Sequence, residues 1–230
     1  MRKLILICTG FLLLNSVKTN AQVTIFSEDF ESGIPATWTR QTDPSSNGWV
    51  AGTNVSLSSL YWDIPAPANG TGIVAVNDDG CGEYCDAYDW LFTPTFSVTG
   101  YDSVRIYFKA FIEKIEQEQA FVGYTNDGST NYNGANLPSS TTGWNTWYLT
   151  VPASALTSTF KIGFFYNDDY EWGYGFALDD VQVLGYSGSV APINDNCATA
   201  TALISNSTCL PTAGTIANST PSGLPQACSG

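Results

Sequence analysis

The chain has 230 residues, 21 of them acidic, eight basic and none histidine, for a net charge of −13. The missing histidine removes Ser-His-Asp triads, Cys-His pairs and HExxH zinc sites. So acidic a surface repels phosphate backbones and anionic membranes, which argues against nucleic acid as a partner and favours divalent cations.

Residues 1–21 read as a signal peptide. Arg2 and Lys3 precede an apolar run from Leu4 to Leu14, and Thr19-Asn20-Ala21 forms a cleavage site before Gln22. The run is too short to span a bilayer, and no later segment is apolar enough for membrane insertion. Cys8 follows Ile7, which is too bulky for a lipobox. The expected product is secreted or displayed at the cell surface, without a lipid anchor. Its charge is near −16, from five basic residues against 21 acidic ones. Five cysteines remain: Cys81, Cys85, Cys197, Cys209 and Cys228. Export makes disulfides the default, and the odd count is expected if the chain is cut inside a cysteine-bearing module.

From Gln22 onward, short apolar runs alternate with turn residues. Strands are expected at Val23–Phe26, Ile73–Val76, Ser103–Phe111, Ala120–Tyr124, Trp147–Val151, Phe160–Tyr166 and Phe176–Leu184. Val104 to Ala110 alternates polar with apolar, as a strand with one wet face does. Residues 113–119 (EKIEQEQ) read as an exposed charged loop and 125–136 as a turn-rich loop. This spacing predicts an all-β sandwich or barrel over 22–186. Residues 187–194 read as a linker. Residues 195–230 are small-residue rich and cysteine-bearing, and read as the truncated start of a second module.

Three segments, in order, carry a resemblance: FSEDFESGIPATWT (26–39), GIVAVNDDG with YDWLFTP (72–80, 88–94), and FKIGFFYNDDYEWGYGFALDDVQV (160–183). Together they resemble the choice-of-anchor J or cleaved-adhesin domain, a MAM-like module of exported bacterial proteins. The resemblance spans most of 25–185. It implies a jelly-roll β-sandwich, a role in cell adhesion or ligand binding, structural calcium, and frequent export by type IX secretion. The Cys81–Cys85 insertion departs from that pattern, and no C-terminal sorting signal is visible.

Calcium takes six to eight oxygens. Three acidic pairs offer them: Glu28 and Asp29 after the first strand, Asp78 and Asp79 after Ile73–Val76, and Asp179 and Asp180 in the last strand. Strand neighbours point to opposite faces, so one acid of each pair can turn to a shared site. In a jelly roll the first and last strands lie side by side, so 28–29 and 179–180 can meet while a middle loop completes the shell. The alternative is a set of solvated turn carboxylates. The offsets of an EF-hand are absent from 77–89.

Cys81 and Cys85 enclose three residues. A small-loop disulfide is expected, since zinc lacks two further soft ligands and a redox pair would be C-x-x-C beside a helix. Tyr170, Trp172 and Tyr174 form a candidate ligand platform in the loop 167–175, whereas Trp38, Trp49, Trp90 and Trp147 read as core. The partners this predicts are a glycan or protein ligand at the cell surface and neighbouring domains of a longer chain. The competing reading is a carbohydrate-active hydrolase or its carbohydrate-binding accessory domain, with Glu113, Glu116 and Glu118 as its carboxylates. Their spacing does not match the E-x-D-x-x-E pattern of jelly-roll glycanases, so the expectation is a non-enzyme.

Overall fold

The computed structural model describes residues 21–113, 118–138 and 142–187. Residues 1–20 of the expected signal peptide, the linker expected beyond Ser187, the expected second module with Cys197, Cys209 and Cys228, and Glu116 lie outside the described residues.

Eleven strands are formed: β1 (Ala21–Glu28), β2 (Thr39–Gln41), β3 (Val50–Thr53), β4 (Gly72–Asn77), β5 (Tyr88–Phe92), β6 (Ser103–Glu113), β7 (Gln119–Thr125), β8 (Asn133–Asn136), β9 (Asn145–Val151), β10 (Lys161–Asn167) and β11 (Gly175–Ser187). A single helical turn, α1 (Asn54–Leu57), starts at a capping box in which Thr53 and Ser56 satisfy each other's backbone N–H. The strands make two antiparallel sheets. One runs β3-β4-β11-β6-β9 with β1 added against β11, and the other runs β2-β5-β10-β7-β8. Successive strands β4 and β5, β6 and β7, β9 and β10, and β10 and β11 lie in opposite sheets. The chain therefore wraps back and forth across the sandwich as a jelly roll.

Alternation builds the core. Along β6, Val104, Ile106, Phe108, Ala110 and Ile112 point inward and meet Leu91, Val122, Phe160, Ile162, Phe164 and Tyr166 of the other sheet. Trp38 and Trp49 are buried there, as expected, and Trp147 packs partly buried against the same core. A smaller cluster of Trp62, Ile64, Ile73, Ala75, Phe111 and Ala177 covers the outer side of the first sheet.

Three expectations are corrected. The turn-rich stretch 125–136 contains β8, whose residues Asn-Gly-Ala-Asn have little strand preference and are held by backbone pairing to β7. Glu118 is not part of an exposed loop but is 3 % exposed, facing Tyr166. Trp90 is not core: Leu91 faces inward, so period-two alternation turns Trp90 out, where it is half-buried.

Candidate functional site

Two acidic clusters and one aromatic cluster occupy the first sheet and the loops at one end of the sandwich. The first cluster forms where β1 joins β11. A one-residue bulge in β11 shifts its register against β6 between Asp179 and Gln182, and Asp180 takes a left-handed conformation with φ of 47°. Asp180 pairs with Lys109. Asp179 is 1 % exposed: its Oδ1 accepts the Asp180 N–H at 2.7 Å, and its Oδ2 has no partner. Burial first, then the Asp180 and Glu31 charges, push the Asp179 carboxyl up to about 7, against the opposing Lys109. Glu28, Asp29 and Asp180 line the same open cleft of 680 Å³. The structure thus brings Glu28, Asp29 and Asp180 to one cleft, which Asp179 does not line.

Asp78 and Asp79 do not join them. Asp78 follows Asn77, which pairs with Gly175, so it stands five residues, or roughly 17 Å at about 3.4 Å per residue, along the strands from Asp179. It belongs to a second cluster. β4 and β10 both end in the same tripeptide, Asn-Asp-Asp, at 77–79 and 167–169. Asn77 Oδ1 accepts the Gly80 N–H at 2.7 Å and Asn167 Oδ1 the Asp169 N–H at 3.1 Å, so each Asn turns its chain. The Asp behind it is then buried: Asp78 is 2 % and Asp168 1 % exposed, close enough for the Asp168 charge to act on Asp78. Burial foremost, then Asp168, hold the Asp78 carboxyl at about 7 against the pull of the Gly173 N–H. Burial also raises Asp168. Asp78 Oδ1 accepts no hydrogen bond.

These carboxylates hold the aromatic loop. Asp78 Oδ2 accepts the Gly173 N–H at 2.7 Å, Glu118 Oε1 the Tyr174 N–H at 2.8 Å, Asp168 Oδ1 the Tyr170 N–H at 3.0 Å, and Asp79 Oδ2 the Tyr61 N–H at 3.0 Å. Above them, Trp172 meets Tyr61 edge to face at 5.7 Å and Tyr174 at 5.9 Å. Trp172 is 46 % and Tyr61 61 % exposed. Tyr170 projects on the same turn with φ of 64° and is 81 % exposed. The disulfide Cys81–Cys85 closes the neighbouring loop, with Cα atoms 5.7 Å apart. Asp89 is fully buried and satisfied by the Asp43 N–H and the Ser46 hydroxyl, so its role is structural.

Sequence reasoning did not single out Glu31 and Asp168, and gave Glu118 only to the hydrolase reading. The repeated Asn-Asp-Asp was the available signal for Asp168. Glu31 accepts the Thr71 and Gly72 N–H groups at 2.7 and 2.9 Å, a long-range contact without a local signature. Among the described residues, no three His, Cys, Asp or Glu side chains converge on one point. A cation at either cluster would therefore complete its shell with carbonyl, amide or hydroxyl oxygens, which calcium accepts. The partnerless Asp179 Oδ2 and Asp78 Oδ1 are the atoms that fit such an ion.

No family model and no curated protein matches the chain. Solved structures do. The K1 cleaved adhesin domain of Lys-gingipain from Porphyromonas gingivalis W83 is similar at 20 % identity and a TM-score of 0.50, over 71 % of this chain and 97 % of that one. The K3 domain of the same protein is similar at 19 % identity and 0.51, over 70 % and 99 %. The K2 domain of Lys-gingipain gives 20 % and 0.50, over 71 % and 97 %. At such identities the likeness is one of fold.

Proposed function

We propose that the chain is a non-catalytic ligand-binding module of an exported cell-surface protein, of the adhesion type, with calcium as a structural ion. The observation that carries this reading is the exposed pair Tyr61 and Trp172, backed by the half-buried Tyr174. Its backbone is fixed by carboxylates beneath it, and the Tyr61 and Trp172 rings face solvent. A large apolar surface held open in one conformation loses little freedom on binding, which favours recognition. The neighbours that share the fold are adhesin domains by name, which agrees with this reading. Structural calcium is supported by the two buried carboxylates that each keep a partnerless oxygen: Asp179, next to Asp180 of the cleft that Glu28 and Asp29 also line, and Asp78 beside Asp168. When bound, the ion supplies positive charge that relieves the repulsion among these acids.

The hydrolase alternative needs carboxyls open to a polysaccharide. Asp78, Asp168 and Glu118 are 1–3 % exposed under the Gly173–Tyr174 turn, which covers them. A glycan and protein-ligand array, run with calcium and with chelator, alongside a hydrolysis screen, tests the proposal. The expected result is binding without turnover, weakened tenfold or more by Trp172→Ala. Release of sugar from a polysaccharide, lost in Glu118→Gln, would replace this reading with the hydrolase.

A further inference from the structure

The outer face of the five-stranded sheet carries a second aromatic cluster, in which Trp90, Phe92, Phe121 and Tyr132 are half-buried, Tyr88 is exposed and Phe165 lies beneath at 7 % exposure. The strand register lays it out in rows. One row runs across all five strands as Gln41, Trp90, Phe165, Phe121 and Asn136. The next row runs Thr39, Phe92, Gly163, Gly123 and Gly134. Three glycines therefore lie side by side on β10, β7 and β8, and aromatic rings lie over them. A Cβ on Gly163 would stand 2.9 Å from both Trp90 and Tyr132, and one on Gly123 2.6 Å from Phe121. A Cβ on Gly134 would stand 2.7 Å from the same Phe121 ring. The glycines let these rings fold down across the backbone instead of standing up from it. Trp90 is in ring contact with Phe92 at 5.3 Å, Tyr132 at 5.0 Å and Phe165 at 4.5 Å, and Tyr88 extends the surface beyond Phe165 at 4.8 Å.

We infer that this face binds a neutral glycan chain laid across the strands. The inference rests on the ligand-binding reading above and adds to it a ligand class and a second surface. Three features select the ligand. A pyranose ring offers a flat C–H face and a rim of hydroxyls. The floor of flattened aromatic rings complements the former. The amides of Gln41 and Asn136 at the two ends of the aromatic row, with Asn167 and Gln119 paired beside it, complement the latter, since each both donates and accepts. Charge decides between a sugar and a protein. No outward strand position on this face holds a carboxylate, in a chain of net charge −13, and none holds an aliphatic side chain. The one cation, Lys161, sits over the Phe92 ring at 4.3 Å. A basic protein segment would be drawn to the acidic loops instead, and an apolar protein surface would find no aliphatic partners here. The width of four strand spacings, about 19 Å, admits a chain of several sugar rings.

Affinity electrophoresis of the full chain through gels containing cellulose-, xylan-, mannan- and galactan-derived soluble polysaccharides tests this, with polygalacturonate as the charged control. The expected result is retardation by at least one neutral polysaccharide and not by polygalacturonate. Trp90→Ala and Tyr132→Ala should each weaken it tenfold or more. Gln41→Ala and Asn136→Ala alter exposed amides and spare the core, so they keep the test valid if an aromatic variant fails to fold. They should weaken retardation three- to tenfold, and Val55→Ala, exposed on α1, should leave it unchanged. Wild-type retardation in the Gln41 and Asn136 variants, or retardation by none of the neutral gels, overturns the inference. Retardation lost with Trp172→Ala but kept with Trp90→Ala overturns it too, while leaving the ligand-binding reading in place.

Discussion

Replacing Asp179 by Asn separates a buried charge from its shape. The two side chains are nearly isosteric, and Asn can still accept the Asp180 N–H that Asp179 Oδ1 holds at 2.7 Å. What changes is the cost of the charge. In the wild type the carboxyl rises from an ordinary value of 3.8 to about 7, chiefly through burial. That corresponds to on the order of 4 kcal/mol against the charged form. Because the folded protein holds the proton more tightly than the unfolded chain, the penalty is absent below pH 3.8. It grows as pH rises and is complete above about 7. Without calcium, Asp179→Asn should therefore match the wild type near pH 4 and exceed it in stability by up to that amount at pH 8. With calcium the gap at pH 8 narrows. An ion at one hundred times its dissociation constant adds about 2.7 kcal/mol, or roughly 5–11 °C in Tm for a domain of this size, and only to the wild type. Urea melts of both proteins at pH 4, 6 and 8, with calcium and with chelator, give all the terms. A variant whose stability difference from the wild type does not change with pH, or which keeps the full calcium response, would refute the reasoning.

Removing the disulfide with Cys81→Ser and Cys85→Ser should cost about 2 kcal/mol, the chain-entropy value for so short a loop, read as a lower urea midpoint with unchanged slope. Gly175→Ala should be far more damaging. Gly175 has φ of 149° and its Cβ would stand 2.3 Å from the Val76 carbonyl oxygen and 2.8 Å from the Trp62 ring. A loss of about 2–4 kcal/mol is expected in thermal melts, within the range for a backbone clash in a core. Asp78→Asn should relieve a like-charge pair and stabilise the chelated protein at pH 8 but not at pH 4, since the Asp78 carboxyl titrates at about 7. The same pH series of melts reads it, and equal stabilisation at both pH values would count against a carboxyl raised by burial and the Asp168 charge.

The alternating strands were legible because one face of each is dry. β6 shows it best, with Val104, Ile106, Phe108 and Ala110 inward and Arg105 out. The meeting of residues 28–29 with Asp180 was legible too, since it follows from the order of strands in a jelly roll. β5 was not, because the inward face holds Asp89 beside Leu91 while the outward face holds Tyr88, Trp90 and Phe92, so the apolar alternation points the wrong way. That hid Trp90, and with it the aromatic face, which exists only once five strands are placed in register. Glu118 was read as exposed because it ends a charged run, and its burial depends on Tyr166, 48 residues away. The turn conformations at Asp169 and Tyr170, φ 61° and 64°, accompany local contacts to the Asn167 amide and the Asp168 carboxylate, which the Asn-Asp-Asp repeat could have signalled.

The edges of the five-stranded sheet have a consequence for crowding. β2 is three residues long and β8 only four, with Gly134 in its middle. Open strand edges recruit edges of other molecules, and an aromatic face beside a long edge would turn such encounters into stacked ribbons. Two stubs leave too few free N–H and C=O groups to register a second copy. The aromatic face therefore has no long open edge beside it to guide a second copy into register.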